Sequence, residues 1–150
     1  KDPANADIYR ANADSYKEAL VAADEAVRQL LAAVPDERRV LVINHEFMNY
    51  FARAYGFDVV GVVIPGGSTG GEIDPQAMAG LIGIIQAAGI PAIFAEASAN
   101  PATIDAVAQD AGVTVVTTLS ESLTAAGGVA ETYLAYLTYN AQAVADALSQ

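Results

Sequence analysis

Val40-Leu41-Val42-Ile43-Asn44-His45-Glu46-Phe47 is an aliphatic run that stops on polar side chains, one of them the only histidine in the chain. Four β-branched or branched aliphatic residues without polar alternation read as a strand covered on both faces, the form that strands take in a parallel sheet packed between helices. Beyond the run, Phe47, Tyr50, Phe51 and Tyr55 recur at helical spacing. A strand leading straight into an amphipathic helix is the first half of a βα unit, and side chains at its carboxyl end line the crevice where such sheets present ligands.

Outward from this stretch the same alternation continues. Strands are expected near Val40 to Ile43, Val59 to Ile64, Ala92 to Ala95 and Val113 to Thr117, and helices near Phe47 to Tyr55, Pro75 to Ala88, Pro101 to Ala111 and Val129 to Leu148. Asp74-Pro75 and Asn100-Pro101 mark two helix starts, a capping side chain followed by proline at the first helical position. On the amino-terminal side, Asp2 as cap and Pro3 as first residue open an Ala-rich helix running to about Ala33, with Tyr16, Leu20, Val27, Leu31 and Val34 as its apolar positions. Some thirty helical residues would extend about 45 Å, longer than a domain of this size is wide. The expected fold class is α/β, with a long N-terminal helix followed by a four-stranded parallel sheet covered by helices.

Composition bounds the function. The chain has 150 residues, 53% of them hydrophobic, and this suits one domain with a single core. Seven Lys and Arg against 18 Asp and Glu leave a formal charge of -11, which repels phosphate backbones and argues against nucleic acid as a partner. There is no cysteine, so metal chemistry would have to use imidazole and oxygen donors. No run reaches the roughly 18 to 20 apolar residues that span a bilayer, and no basic and apolar leader opens the chain. The opening Lys1-Asp2-Pro3 reads as the interior of a longer protein. Catalysis is not expected: no Gly-x-Ser-x-Gly elbow or cysteine nucleophile is present, and His45 has no serine partner in motif context. The glycine-rich Pro65-Gly66-Gly67-Ser68-Thr69-Gly70-Gly71 lacks the ending of a phosphate-binding loop and reads as a flexible loop or a flap over the site.

Three polar residues fall at the expected ends of strands one, three and four: His45, Glu96 and Glu121. In a right-handed parallel sheet these ends share one edge, so the side chains can converge, and an imidazole with carboxylates suits zinc or manganese. The plainer readings are a capping or buried histidine for His45, a salt bridge or turn cap for Glu96, a solvated loop carboxylate for Glu121, an exposed first-turn helix residue for Glu46, and core and rim packing for Tyr133, Tyr136 and Tyr139.

Longer motifs carry a resemblance. Asp2-Pro3-x-Asn5-Ala6-x-x-Tyr9-x-x-Asn12, the stretch Asn44-His45-Glu46-x-x-x-Tyr50-Phe51-x-x-Ala54-Tyr55-Gly56, Ile93-Phe94-x-Glu96, and Thr132-Tyr133-x-x-Tyr136-x-x-Tyr139-Asn140 occur in this order. Together they resemble the metal-binding substrate-binding proteins of ABC importers for zinc and manganese. The resemblance implies that residues 1–34 are the linking helix and 35–150 the C-terminal metal-binding lobe, with the N-terminal lobe and its further ligands missing. By position in the motif His45 matches a metal ligand; Glu121 falls where the family usually has an aspartate ligand, and Glu96 matches a residue supporting its neighbours rather than touching metal. It further implies a transported divalent metal, a membrane ABC permease as partner, and an extracytoplasmic, periplasmic or lipid-anchored location; histidine at the first position of this lobe favours Zn2+ over Mn2+, since nitrogen ligands suit zinc. Only neutral imidazole binds a metal ion, so acidification is expected to release the ion. The uncovered inter-lobe face could support a homodimer. The competing reading is a non-catalytic interaction or adhesin-type module of the same fold in which His45 is structural.

Overall fold

The computed structural model describes residues 2–64, 75–96, 101–119 and 122–149. A 3-10 turn at Pro3–Asn5 leads into α1 (Ala6–Leu31), and a second at Asp36–Arg38 leads into β1 (Val40–Ile43). There follow α2 (Asn49–Tyr55), β2 (Asp58–Val62), α3 (Pro75–Ala87), β3 (Ala92–Glu96), α4 (Pro101–Ala111), β4 (Thr114–Thr118) and α5 (Tyr133–Leu148). All strand pairings are parallel, and the order across the sheet is β2-β1-β3-β4. This is the expected α/β class with the expected four-stranded parallel sheet.

Period two within the central strands divides the core into two layers. Leu41, Ile43, Ala92 and Phe94 face α1, α2 and α5, where they pack with Val27, Leu31, Ala52, Ala141 and Val144. Val42, Ile93 and Ala95 face the other way, onto Leu81 and Ile85 of α3 and Ile104 and Val107 of α4. Because β1 and β3 are covered on both sides, neither can alternate apolar with polar residues, which is why their sequences are continuous apolar runs. Gly56 ends α2 in the left-handed conformation at φ 73°, where a side chain would be strained, and it directs the chain into β2.

Several boundaries differ from the sequence-based expectation. Asp2 does not cap the backbone of the first helix; its carboxylate instead accepts from Asn5 Nδ2 at 2.7 Å and from the Tyr9 hydroxyl at 2.8 Å. Helix α5 begins at Tyr133 rather than Val129, because Thr124 N donates to Ala130 O and Ala130 N to Thr124 Oγ1, closing residues 124–130 into a turn. Thr132 then caps α5 by accepting from Ala135 N at 3.2 Å. The expected caps Asp74 and Asn100 and the segment 65–71 lie outside the described residues, although α3 and α4 do start at Pro75 and Pro101.

Helix α1 is 26 residues long, about 39 Å at 1.5 Å per residue. Only its last turns are buried, at Val27 and Leu31, while Ile8, Tyr9, Tyr16 and Val21 are exposed. Its anchoring end is tied to α2 by Tyr55, whose hydroxyl donates to Asp24 Oδ1 at 3.0 Å beneath the Arg28 guanidinium. Burial and the Asp24 hydrogen bond push the Tyr55 hydroxyl up to about 12. A raised folded-state value for a group that is neutral when protonated means that the stabilisation is whole below the unfolded value near 10 and is lost as pH rises through 12. The melting temperature is therefore expected to fall between pH 10 and 12, and Tyr55→Phe to flatten that fall in a pH series of thermal melts.

Candidate metal site at the carboxyl edge of the sheet

The chain runs outward from β1 to β2 on one side and returns across it to β3 on the other, so the connections diverge between β1 and β3. Such a switch point opens a crevice at the carboxyl ends of the two strands. His45 follows β1 by two residues and Glu96 is the last residue of β3, which places both at that crevice. Their side chains meet: His45 Nε2 lies 2.8 Å from Glu96 Oε1, with the side chains 19% and 10% exposed. At this distance the neutral ring donates Nε2–H to the carboxylate, and a protonated ring would form an ion pair. Glu96 is thus in direct contact with His45.

The turn after His45 is tight. Phe47 N donates to His45 O at 2.8 Å, and the Phe47 ring lies 5.1 Å from the imidazole. This turn delays α2 until Asn49, so Glu46 is an exposed turn residue and not the first-turn helix residue expected from the sequence. A groove of about 380 Å³ opens next to it between α2 and α5, lined by Phe47, Phe51, Tyr55, Tyr133, Tyr136 and Asn140 among others. Tyr133 and Tyr136 stack along its wall with centroids 5.9 Å apart, and Tyr133 is 47% exposed, so this stripe forms the rim of the groove.

Two asparagines organise the edge, and sequence reasoning assigned neither a role. Asn44, 2% exposed, accepts from Glu96 N through Oδ1 at 3.1 Å. Asn140, 6% exposed, grips the residue after β4 twice: Leu119 N donates to its Oδ1 at 2.9 Å, and its Nδ2 donates to Leu119 O at 2.7 Å. Thr118 Oγ1 donates to Ala95 O at 3.3 Å between the two. The signal available in the sequence was an amide among apolar neighbours, since a buried amide must find partners for its polar atoms. Asn140→Ala leaves a peptide N–H and C=O of Leu119 without these partners and is expected to cost about 1–3 kcal/mol, read by urea denaturation.

Glu121 lies outside the described residues. Among the described residues no group of three or more His, Asp or Glu side chains converges as a metal cage. His45 and Glu96 place an imidazole and a carboxylate in direct hydrogen-bonding contact at the crevice.

Both the sequence and the fold have counterparts among known proteins. The chain is 30% identical to the manganese-binding lipoprotein MntA of Halalkalibacterium halodurans over 151 residues, covering 100% of this chain and 50% of that protein. It is 27% identical to the metal ABC transporter substrate-binding lipoprotein FimA of Streptococcus parasanguinis, covering 100% of this chain and 48% of the relative. The solved structure of the periplasmic zinc-binding protein TroA from Treponema pallidum superposes with a TM-score of 0.88 at 30% identity, covering 99% of this chain and 55% of the other. The chain therefore spans about half the length of the curated relatives it matches. These relatives are named for binding or transporting metal and not for a reaction. The family model for the periplasmic component A of the zinc-uptake complex matches residues 1–147, nearly the whole length, and the chain belongs to that family.

Proposed function

We propose that this chain is the C-terminal half, with its linking helix, of an extracytoplasmic substrate-binding protein that delivers a divalent transition metal to an ABC permease, with zinc as cargo in preference to manganese. The observation that carries the proposal is the position of His45: the single imidazole of the chain stands at the switch point of the sheet, partly exposed and braced by a carboxylate. In this reading residues 1–34 link the lobes, residues 35–150 form the metal-binding lobe, Glu121 is the second ligand from this half, and an N-terminal lobe supplies the others. The names of the relatives include both zinc and manganese. The preference for zinc comes from donor chemistry, since imidazole nitrogen suits zinc and oxygen-rich sites suit manganese.

With two of about four ligands in this half, water completes the coordination sphere and affinity is modest. Calorimetric titration of the chain with Zn2+ and with Mn2+ tests the proposal. Zinc is expected to bind in the micromolar range or weaker, and manganese more weakly still. Submicromolar binding by a monomer contradicts the half-site, and tighter binding of manganese reverses the cargo. A second reading, an interaction module with a structural His45, is favoured by the Glu96 hydrogen bond, which satisfies one ring nitrogen without any metal.

A further inference from the structure

Asn44, Thr118 and Asn140 are buried polar residues, and all three stand at the carboxyl edge of the sheet. Thr118 and Asn140 secure the end of β4, whereas Asn44 contacts the His45–Glu96 pair itself. The backbone turns at Asn44: its N–H still donates across to Phe94 O on β3 at 3.0 Å, but its carbonyl accepts from Ile64 N on the β2 side at 2.8 Å. In an unbroken parallel strand the N–H and C=O of one residue face the same neighbour. Glu96 N–H thus reaches the edge of β1 where the next main-chain acceptor has swung away. The side-chain oxygen of Asn44 takes its place, at 3.1 Å.

We propose that Asn44 is a positioning residue for metal capture: its amide oxygen pins the backbone of Glu96, and through the Glu96 carboxylate it holds the His45 ring. The proposal rests on the reading of His45 as a metal ligand. Asn44 is also covalently joined to His45, so one residue sets the backbone on both sides of the 2.8 Å contact. The position requires a side-chain acceptor of this reach. Alanine lacks it, serine is too short, and aspartate keeps the acceptor but adds a charge beside Glu96.

Zinc titrations of the unaltered chain, Asn44→Ala, Glu96→Ala and the double variant test the proposal, together with amide exchange at Glu96 and the magnetisation transfer between the His45 ring and the Glu96 side chain. Asn44→Ala is expected to weaken zinc binding roughly tenfold, the lower end for a residue supporting a ligand. It is also expected to speed exchange at the Glu96 amide, and the double variant should bind no more weakly than Glu96→Ala alone. Parental affinity in Asn44→Ala, or a double variant that loses the product of the two single effects, overturns the proposal. If zinc binding survives His45→Ala, the ligand reading fails, and Asn44 is then judged on the metal-free protein: loss of the His45 to Glu96 transfer in Asn44→Ala supports positioning, and its persistence overturns it. Should Asn44→Ala not fold, Asn44→Asp is expected to keep the Glu96 amide protected, and fast exchange there overturns the proposal.

Discussion

His45→Ala is expected to lower the affinity of the chain for zinc by more than about 100-fold, since even a residue that only supports a ligand is worth roughly 10–100-fold. The substitution removes the only imidazole of a chain that has no cysteine, and no other strong nitrogen or sulfur donor can replace it. The fold should persist. His45 is partly exposed at the edge of the sheet and belongs to neither core layer. Its loss deletes one charge-assisted hydrogen bond, worth about 1.5–3 kcal/mol, which a thermal melt would register as a few degrees. Calorimetry beside circular dichroism separates the two effects. Unchanged zinc affinity in a folded His45→Ala variant would remove the metal role from this residue. A chain that binds no zinc but whose His45→Ala variant still binds a protein partner would belong to the interaction-module reading.

The parts of the fold that depend on local chemistry were legible in the sequence. β1 lies where the aliphatic run placed it, and α3 and α4 begin at Pro75 and Pro101, because proline lacks the N–H that a first helical turn leaves unpaired in any case. The expectations for α2 and α5 erred at their starts, where hydrogen bonds decide: the Phe47 to His45 bond holds a turn ahead of α2, and the Thr124 and Ala130 bonds hold another ahead of α5. The cap at Thr132 was available to read, but the apolar Val129 and Ala130 upstream masked it. At the site, convergence of strand ends on one edge followed from a parallel sheet, but which ends adjoin did not. Strand order arises from long-range pairing, and it is the adjacency of β1 and β3 in the order β2-β1-β3-β4 that makes His45 and Glu96 neighbours. The clamps at Asn44 and Asn140 depend on the same tertiary placement, since each binds a backbone group at least 21 residues away. Glu121 was read from its place after the fourth strand and from motif position, and lies outside the described residues.

Phe94→Ala is expected to be the most destabilising single substitution near the site, at about 3–5 kcal/mol. Phe94 is fully buried on β3, on the face shared by Leu41 and Ile43 with Val27 and Leu31 of α1 and Val144 of α5. A cavity there opens between the sheet and the helices that cover it, and rigid strands on either side cannot collapse to fill it. At roughly 2–4 °C per kcal/mol for a chain of this length, the melting temperature should fall by about 6–20 °C. Tyr50→Ala is the control: its side chain is 81% exposed, and the change should stay within about 0.5 kcal/mol. The effect should reach the site as well, because Phe94 O receives the Asn44 N–H, and Glu96 lies two residues further along the same face of β3. Urea denaturation and zinc titration of Phe94→Ala should therefore both shift. A destabilised variant that keeps parental zinc affinity would show that the edge of the sheet holds its geometry independently of the core beneath it.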